Sequence, residues 1–149
     1  MIEFRNVSKN YPGGTHALDD VDIMIDKGEF VFILGHSGAG KSTLLKLMLR
    51  EELPSKGSIM IADYNLVKMK KRQIPYLRRE LGVLFQDFRL IPTMTAYENV
   101  ELPLIYQGVN AFDRRDMALE ALERVGLAER AKHLPSEMSG GQQQRVAIA

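Results

Sequence analysis

The sequence predicts an α/β fold with a mixed sheet, an antiparallel β-subdomain at its N-terminus and an inserted α-helical subdomain. Three observations predict it. An unbroken apolar run, Phe30-Val31-Phe32-Ile33-Leu34, leads into a glycine-rich turn and then an amphipathic stretch, which is the strand–loop–helix opening of a βαβ unit. Residues 2–7 and 21–25 alternate apolar and polar side chains, as half-buried antiparallel strands do. From about Thr95 to Pro135 the pattern changes to helical periodicity.

Taken in order, Gly28 and Gly35 bracket the apolar run at 30–34, so it reads as a strand buried on both faces. Residues 41–49 read as a helix with Leu44, Leu45, Met48 and Leu49 on one stripe. Gly57 precedes a further strand at 58–61, and Leu81-Gly82-Val83-Leu84-Phe85 reads as another buried strand ending at Gln86. In the later segment Thr95 caps a helix, with Glu98 at the capping-box spacing. Asp113 is read as the cap of a second helix, whose stripe is Met117, Ala118, Ala121, Leu122 and Val125, and Gly126 ends it.

Composition bounds the function. The 149 residues suffice for one domain with a core, at 45% hydrophobic and 26% charged. A net charge of +1 gives no bulk electrostatic argument for nucleic acid. The absence of cysteine excludes disulfides, thiolate metal sites and thiol catalysis. The first residues carry an acid and no apolar h-region, and no apolar run approaches the roughly 20 residues of a membrane helix. The expectation is a cytosolic chain, or one held at a membrane through a partner.

The chemistry concentrates in Gly35-His36-Ser37-Gly38-Ala39-Gly40-Lys41-Ser42, followed by Thr43. This matches G-x-x-x-x-G-K-[ST], between a predicted strand and a predicted helix. Gly35 and Gly40 are expected to adopt backbone angles that strain other residues, while Gly38 keeps side chains clear of the ligand. Successive N–H groups then converge on an anion at the positive end of a helix. Lys41 carries charge to the β- and γ-phosphates, and the Ser42 hydroxyl is a hard oxygen ligand suited to Mg²⁺. The predicted ligand is a nucleoside triphosphate.

A second glycine element, Ser139-Gly140-Gly141-Gln142, also precedes a helix-like stretch. Alone it also admits the reading of a plain helix cap. With the phosphate loop before it, the whole chain resembles the nucleotide-binding domain of ABC-type ATPases, a P-loop NTPase fold. The loop corresponds to Walker A. Met138-Ser139-Gly140-Gly141-Gln142 resembles the LSGGQ signature, with Met in the first place. Gln86, after Val83-Leu84-Phe85, resembles the Q-loop glutamine, and Tyr11 in Asn10-Tyr11-Pro12 resembles the A-loop aromatic.

The resemblance implies roles. Tyr11 would stack on adenine, although stacking reads a π-face and accepts guanine as well. Gln86 would touch Mg²⁺ or the attacking water. Ser139, Gly140, Gly141 and Gln142 would meet the nucleotide held by a second copy, closing a head-to-tail homodimer over ATP. It also implies three stretches: about 1–90 for the core and β-subdomain, 91–138 for the helical subdomain, and 139–149 for the signature and the start of its helix.

Residues 1–88 are most similar to the family's cell-division ATP-binding subgroup, on Leu49-Arg50-Glu51-Glu52, Ile74-Pro75-Tyr76-Leu77-Arg78-Arg79 and Phe85-Gln86-Asp87-Phe88. Residues 98–106 and the following helix are similar to the macrolide- and lipoprotein-exporter ATPases. Both subgroups imply a motor whose ATP-driven closure pulls on an integral membrane partner at the inner face of the cell membrane. Phe88, Leu90, Met94 and Tyr97 are candidates to line the groove that receives that partner, or else are ordinary core. Lys68-Met69-Lys70-Lys71-Arg72 reads as a solvated face, or as a contact for anionic lipid headgroups.

The chain stops at Ala149 inside an apparent helix, so a longer native protein is expected. In the family, the Walker B aspartate, the catalytic glutamate, the D-loop and the switch histidine all follow the signature. His16, His36 and His133 precede it. By this reading the chain alone binds nucleotide without hydrolysing it, since phosphoryl transfer needs a positioned water as well as a phosphate clamp. A non-catalytic nucleotide-binding fragment or a chimera is the alternative to a motor subunit.

Overall fold

The computed structural model describes all 149 residues, Met1–Ala149. The chain divides into two units, Met1–Gly82 and Val83–Ala149.

The first unit is built on a four-stranded antiparallel sheet of order β2-β1-β3-β4. Its strands are β1 (Ile2–Asn10), β2 (His16–Ile25), β3 (Lys56–Ile61) and β4 (Tyr64–Asn65). In β1, Ile2 faces Ile25 on one side and Ile61 on the other, and Phe4 faces Ile23 and Ile59. These cross-strand apolar rows fix the register. The alternation then breaks, because Phe4 and Val7 are both buried although three residues apart. A register shift accounts for this. Asn6 sits in the left-handed region at φ 48°, and the extra residue returns Val7 to the core face. Asp22 holds the bulge by accepting from the Asn6 N–H at 2.9 Å.

Helix α1 (Lys41–Met48) buries Thr43, Leu44 and Leu47. Its apolar side chains join Phe4, Val7, Leu18, Ile59, Ile61, Leu66, Met69 and Leu77 in one core. Helix α2 (Ile74–Arg79) follows a 3-10 turn at Lys71–Gln73 and sends Leu77 into that core.

The second unit is helical, with α3 (Ala96–Gln107), α4 (Ala111–Arg124) and α5 (Gly140–Ile148). Thr95 closes the expected capping box: its side chain accepts from the Glu98 N–H at 3.2 Å, and its own N–H donates to Glu98 Oε2 at 2.7 Å. The second helix starts earlier than predicted. Asn110 is the cap, accepting from the N–H groups of Phe112 and Asp113, so Asp113 stands in the first turn instead. Both residue types suit that end of a helix, and Asn110 already fills the capping role that Asp113 was assigned. Ala118 and Leu122 carry the burial, joined by Ala96, Val100, Leu127, Met138 and Val146.

Two predicted strands differ in the structure. Residues 30–34 and 81–85 form no strand. Phe30, Phe32 and Leu34 are 84%, 75% and 87% exposed, and Phe30 packs edge-on against Phe32 at 4.9 Å. The physical reason is pairing: a two-sided strand needs a ladder on each edge, and no segment of this chain pairs with either run.

Gly57 shows how closely β1 and β3 approach. It has φ +83°, and a Cβ there would lie 2.3 Å from the Asn6 carbonyl oxygen and 2.4 Å from that of Arg5. Neither backbone oxygen moves cheaply. The left-handed angle alone costs an alanine about 1–2 kcal/mol, so Gly57→Ala is expected to lower the unfolding free energy by more than ~2 kcal/mol. Urea denaturation checks this, and an unchanged midpoint contradicts it.

Candidate functional site

The phosphate loop joins residue 34 to α1. The left-handed glycines are Gly38 (φ 83°) and Gly40 (φ 85°). Gly35 is not among them, which corrects its predicted role. It is needed for space, since a Cβ there would approach Ala39 Cβ to 2.9 Å. Gly40 is needed for both reasons: a Cβ would meet the Ala17 carbonyl oxygen at 2.3 Å and Leu18 Cδ2 at 2.8 Å, so the helix start rests against β2. Gly38 has nothing within 4 Å of the place its Cβ would take.

Gly40 is the N-cap of α1, and no side chain caps the helix. The first helical bond runs from the Leu44 N–H to the Gly40 carbonyl at 2.9 Å. The N–H groups of Lys41, Ser42 and Thr43 therefore have no acceptor in the chain. No acid lies in the first turn, so the positive end of the helix is uncompensated. Within the loop, His36 Nδ1 donates to the Ser37 carbonyl at 2.8 Å, and the Ala39 N–H donates to the His36 carbonyl at 3.2 Å. The Lys41 ammonium donates to the carbonyls of Gly35 (2.6 Å) and His36 (2.8 Å). It is thus folded back over the loop, where incoming phosphate oxygens can replace the carbonyls. Ser42 is exposed and its hydroxyl has no partner, so a hard oxygen stands ready beside the open amides.

Tyr11 comes to this helix. Its hydroxyl lies 3.3 Å from Thr43 Oγ1, and Lys9 Nζ lies 5.1 Å from the ring centroid. Behind it Glu52 gathers two cations, with Lys9 Nζ at 3.0 Å from Oε2 and Lys46 Nζ at 3.5 Å from Oε1. Burial on its own raises the Glu52 pKa. Contacts from Lys9 and Tyr11 and the charges of Lys9 and Lys46 outweigh it, and the carboxyl is held below its ordinary value. Sequence reasoning gives Lys9 and Glu52 no site role: Glu52 enters only in the run that resembles the cell-division subgroup, and only the fold brings residue 52 beside residue 9.

In the second unit, Gln86 is exposed at a tight turn closed by the Phe88 N–H donating to the Phe85 carbonyl at 3.0 Å. Phe88 (φ 56°) and Arg89 (φ 50°) follow in left-handed conformations, which non-glycine residues rarely adopt. The Arg89 guanidinium lies 3.6 Å from the centroid of the Phe85 ring. Asn99, also missed, ties the next stretch to α3. It accepts from the Ile91 N–H at 2.7 Å and donates to the carbonyls of Ile91, Met94 and Thr95. An asparagine inside a helix was the available signal, since it competes with helical hydrogen bonding unless its side chain is otherwise employed. A cavity of about 780 Å³ in this unit is lined in part by Phe88, Leu90, Val100 and Pro103. Met94 and Tyr97 lie outside its lining, and Tyr97 packs against the core instead.

Ser139 caps α5. Its side chain accepts from the Gln142 N–H at 3.3 Å, and the Gln142 side chain accepts from the Ser139 N–H at 2.9 Å. Gln143 Nε2 braces the turn by donating to the carbonyls of Pro135 and Met138. Met138 is buried, and a Leu-to-Met exchange in a core is tolerated by volume. A Cβ at Gly140 or Gly141 would meet nothing within 4 Å. No group of His, Cys, Asp and Glu side chains forms a metal site.

A glycine-rich loop feeding open helix amides, with a lysine folded over it and an aromatic side chain at its flank, defines a phosphate-binding cassette of the P-loop class. The chain belongs to the ABC transporter family, whose model matches residues 18–149. Its relatives are more particular. It is 48% identical over 149 residues to the cell division ATP-binding protein FtsE of Escherichia coli K12, covering all of this chain and 67% of that protein. It is 46% identical to FtsE of Bacillus subtilis, again along the whole chain and over 65% of that protein. The structure of a dimeric ATP-binding cassette in a post-hydrolysis state, bound to ADP and Pi, superposes with a TM-score of 0.89 at 42% identity, covering 99% of this chain and 67% of that one. A second dimeric structure, of a bacterial ABC transporter cassette, gives 0.88. The chain spans about two thirds of the length of these relatives.

Glu52 contributes a pH dependence to the first unit. Its folded pKa lies below its ordinary 4.5, so its stabilising contribution is present above about pH 4.5 and is lost as the pH falls through the folded value. Glu52→Gln is expected to lower the melting temperature at pH 7, with the gap to the unsubstituted chain closing below pH 4.5. Thermal melts at both ends of that window check it. A gap that widens toward acid contradicts it.

Proposed function

We propose that this chain carries the nucleotide clamp of an FtsE-type motor: it binds ATP through residues 35–43 and passes the force of dimer closure to an integral, FtsX-like membrane partner. The observation that carries the reading is the start of α1. Three open N–H groups, an uncapped helix dipole, an ammonium folded over the loop and a free hydroxyl converge on one spot. Such a constellation suits a triphosphate tail better than any uncharged ligand. Tyr11, at the flank of the same helix, offers a face for the base.

Mg²⁺ fits the donors present. Ser42 supplies a partnerless hydroxyl, a hard ligand. Ser42 would hold the ion together with phosphate oxygens and water. When bound, the ion would neutralise charge on the phosphates. The assignment of Gln86 to the ion comes from the family resemblance.

The signature supports a head-to-tail homodimer. Gly140 and Gly141 leave bare backbone at the start of α5, with open space where side chains would stand. A phosphate held by a second copy can approach there closely. The dimeric cassettes similar to this chain are consistent with that arrangement. No helix is long and apolar enough to cross a membrane, and the integral partner would be one point of attachment at the inner face. The cavity beside Phe88 and Leu90 is the surface offered to it.

The high identity to bacterial FtsE favours cell division over export. The test is a titration with a fluorescent ATP analogue and Mg²⁺. The chain is expected to bind, and Lys41→Ala to weaken binding by about 10- to 100-fold, the worth of one or two charge-assisted hydrogen bonds. Absence of binding, or equal affinity in the variant, contradicts the reading.

A further inference from the structure

We propose that the surface formed by residues 67–79 docks directly on an anionic lipid bilayer. The inference rests on the first unit alone and does not depend on the nucleotide reading.

The segment is fixed from beneath. Leu66, Met69 and Leu77 are buried in the core, with Ile74 packed against it. The Arg50 Nε donates to the Leu66 carbonyl at 2.6 Å, and the Arg78 Nε donates to the Leu49 carbonyl at 2.9 Å, tying both ends of the segment to the end of α1. With those positions turned inward, Lys68, Lys70, Lys71 and Arg72 are exposed. None of these four side chains has an acidic partner. From residue 64 to residue 79 the sequence contains no Asp or Glu, in a chain whose net charge is only +1. The positive charge is therefore local, and the rest of the molecule does not share it.

Apolar groups are interleaved with the cations. Val67 is 41% exposed and Tyr76 is 57% exposed. Arg72, Tyr76 and Arg79 recur at spacings of four and three along the continuous helical stretch from Lys71 to Arg79, so they share one face. The Arg79 guanidinium lies 5.3 Å from the Tyr76 ring centroid. Cations reaching for headgroups around an amphipathic aromatic ring are the chemistry of a bilayer interface.

The same details weigh against other polyanions. A single-stranded nucleic acid stacks successive bases on several aromatic rings, and Tyr76 is the single aromatic residue between residues 67 and 79. An acidic protein favours fixed, forked guanidinium pairs. Here three of the four partnerless cations are lysines, compact charges on flexible stems that suit a fluid array of phosphates.

Sedimentation of the whole chain with vesicles tests this. It is expected to pellet with phosphatidylcholine–phosphatidylglycerol vesicles and not with pure phosphatidylcholine, and binding should fall with added salt. Lys68→Gln/Lys70→Gln/Lys71→Gln/Arg72→Gln should weaken it by on the order of a hundredfold or more, at about fivefold per cation. Tyr76→Ser, with charge unchanged, should weaken it several-fold. A control with the same charge change elsewhere, Lys27→Gln/Lys56→Gln/Arg115→Gln/Lys132→Gln, should retain most of the binding. Circular dichroism confirms that each variant is folded. Failure to pellet with anionic vesicles overturns the proposal. So does equal loss in both quadruple variants, which would mark bulk charge, or binding that ignores Tyr76 and is matched by polyglutamate or DNA, which would mark a general polyanion site.

Discussion

An α-helix starts with peptide N–H groups that have no partner inside the helix, and nothing in this chain supplies one for α1. Most helices here solve that problem with a side chain. Thr95, Asn110 and Ser139 each accept from the first turn of the helix they precede. Gly40 cannot. Its left-handed angle and its packing against the Ala17 carbonyl exclude every residue with a Cβ, so the position that would hold a cap holds a glycine. The first-turn N–H groups are then left open to solvent, where the proposed phosphate would sit. Lys41 folded onto its own loop, Ser42 without a partner and Tyr11 against Thr43 surround that one opening.

Much of this was legible in sequence. The loop pattern, the antiparallel strands, the Thr95–Glu98 capping box and the helical stripe through Ala118 and Leu122 are local, and local patterns survive without knowledge of the rest of the fold. The errors fell where pairing decides. Residues 30–34 have the composition of a two-sided strand, but strand formation is a property of neighbours, and this chain brings none beside them. Asp113 lost the cap to Asn110 because either residue suits that end and boundaries are set by geometry. Gly35 was assigned an angle when its need was room beside Ala39.

The supporting residues were the least legible. Glu52 and Lys9 meet only because β1 and the turn after α1 come together, and neither segment marks that pairing. Asn99 organises the stretch between residues 91 and 95 through four hydrogen bonds, yet in sequence it is one polar residue in a helix. The motifs therefore name the groups that would touch a ligand, while the fold alone names the groups that hold them.

Nucleotide binding as proposed runs through backbone amides, so the direct measurement is of those amides. A triphosphate analogue with Mg²⁺ should shift the amide resonances of residues 35–43 in the folded chain, with Gly40, Lys41 and Ser42 moving most. Resonances there that stay fixed while the protein remains folded at saturating ligand would contradict the account.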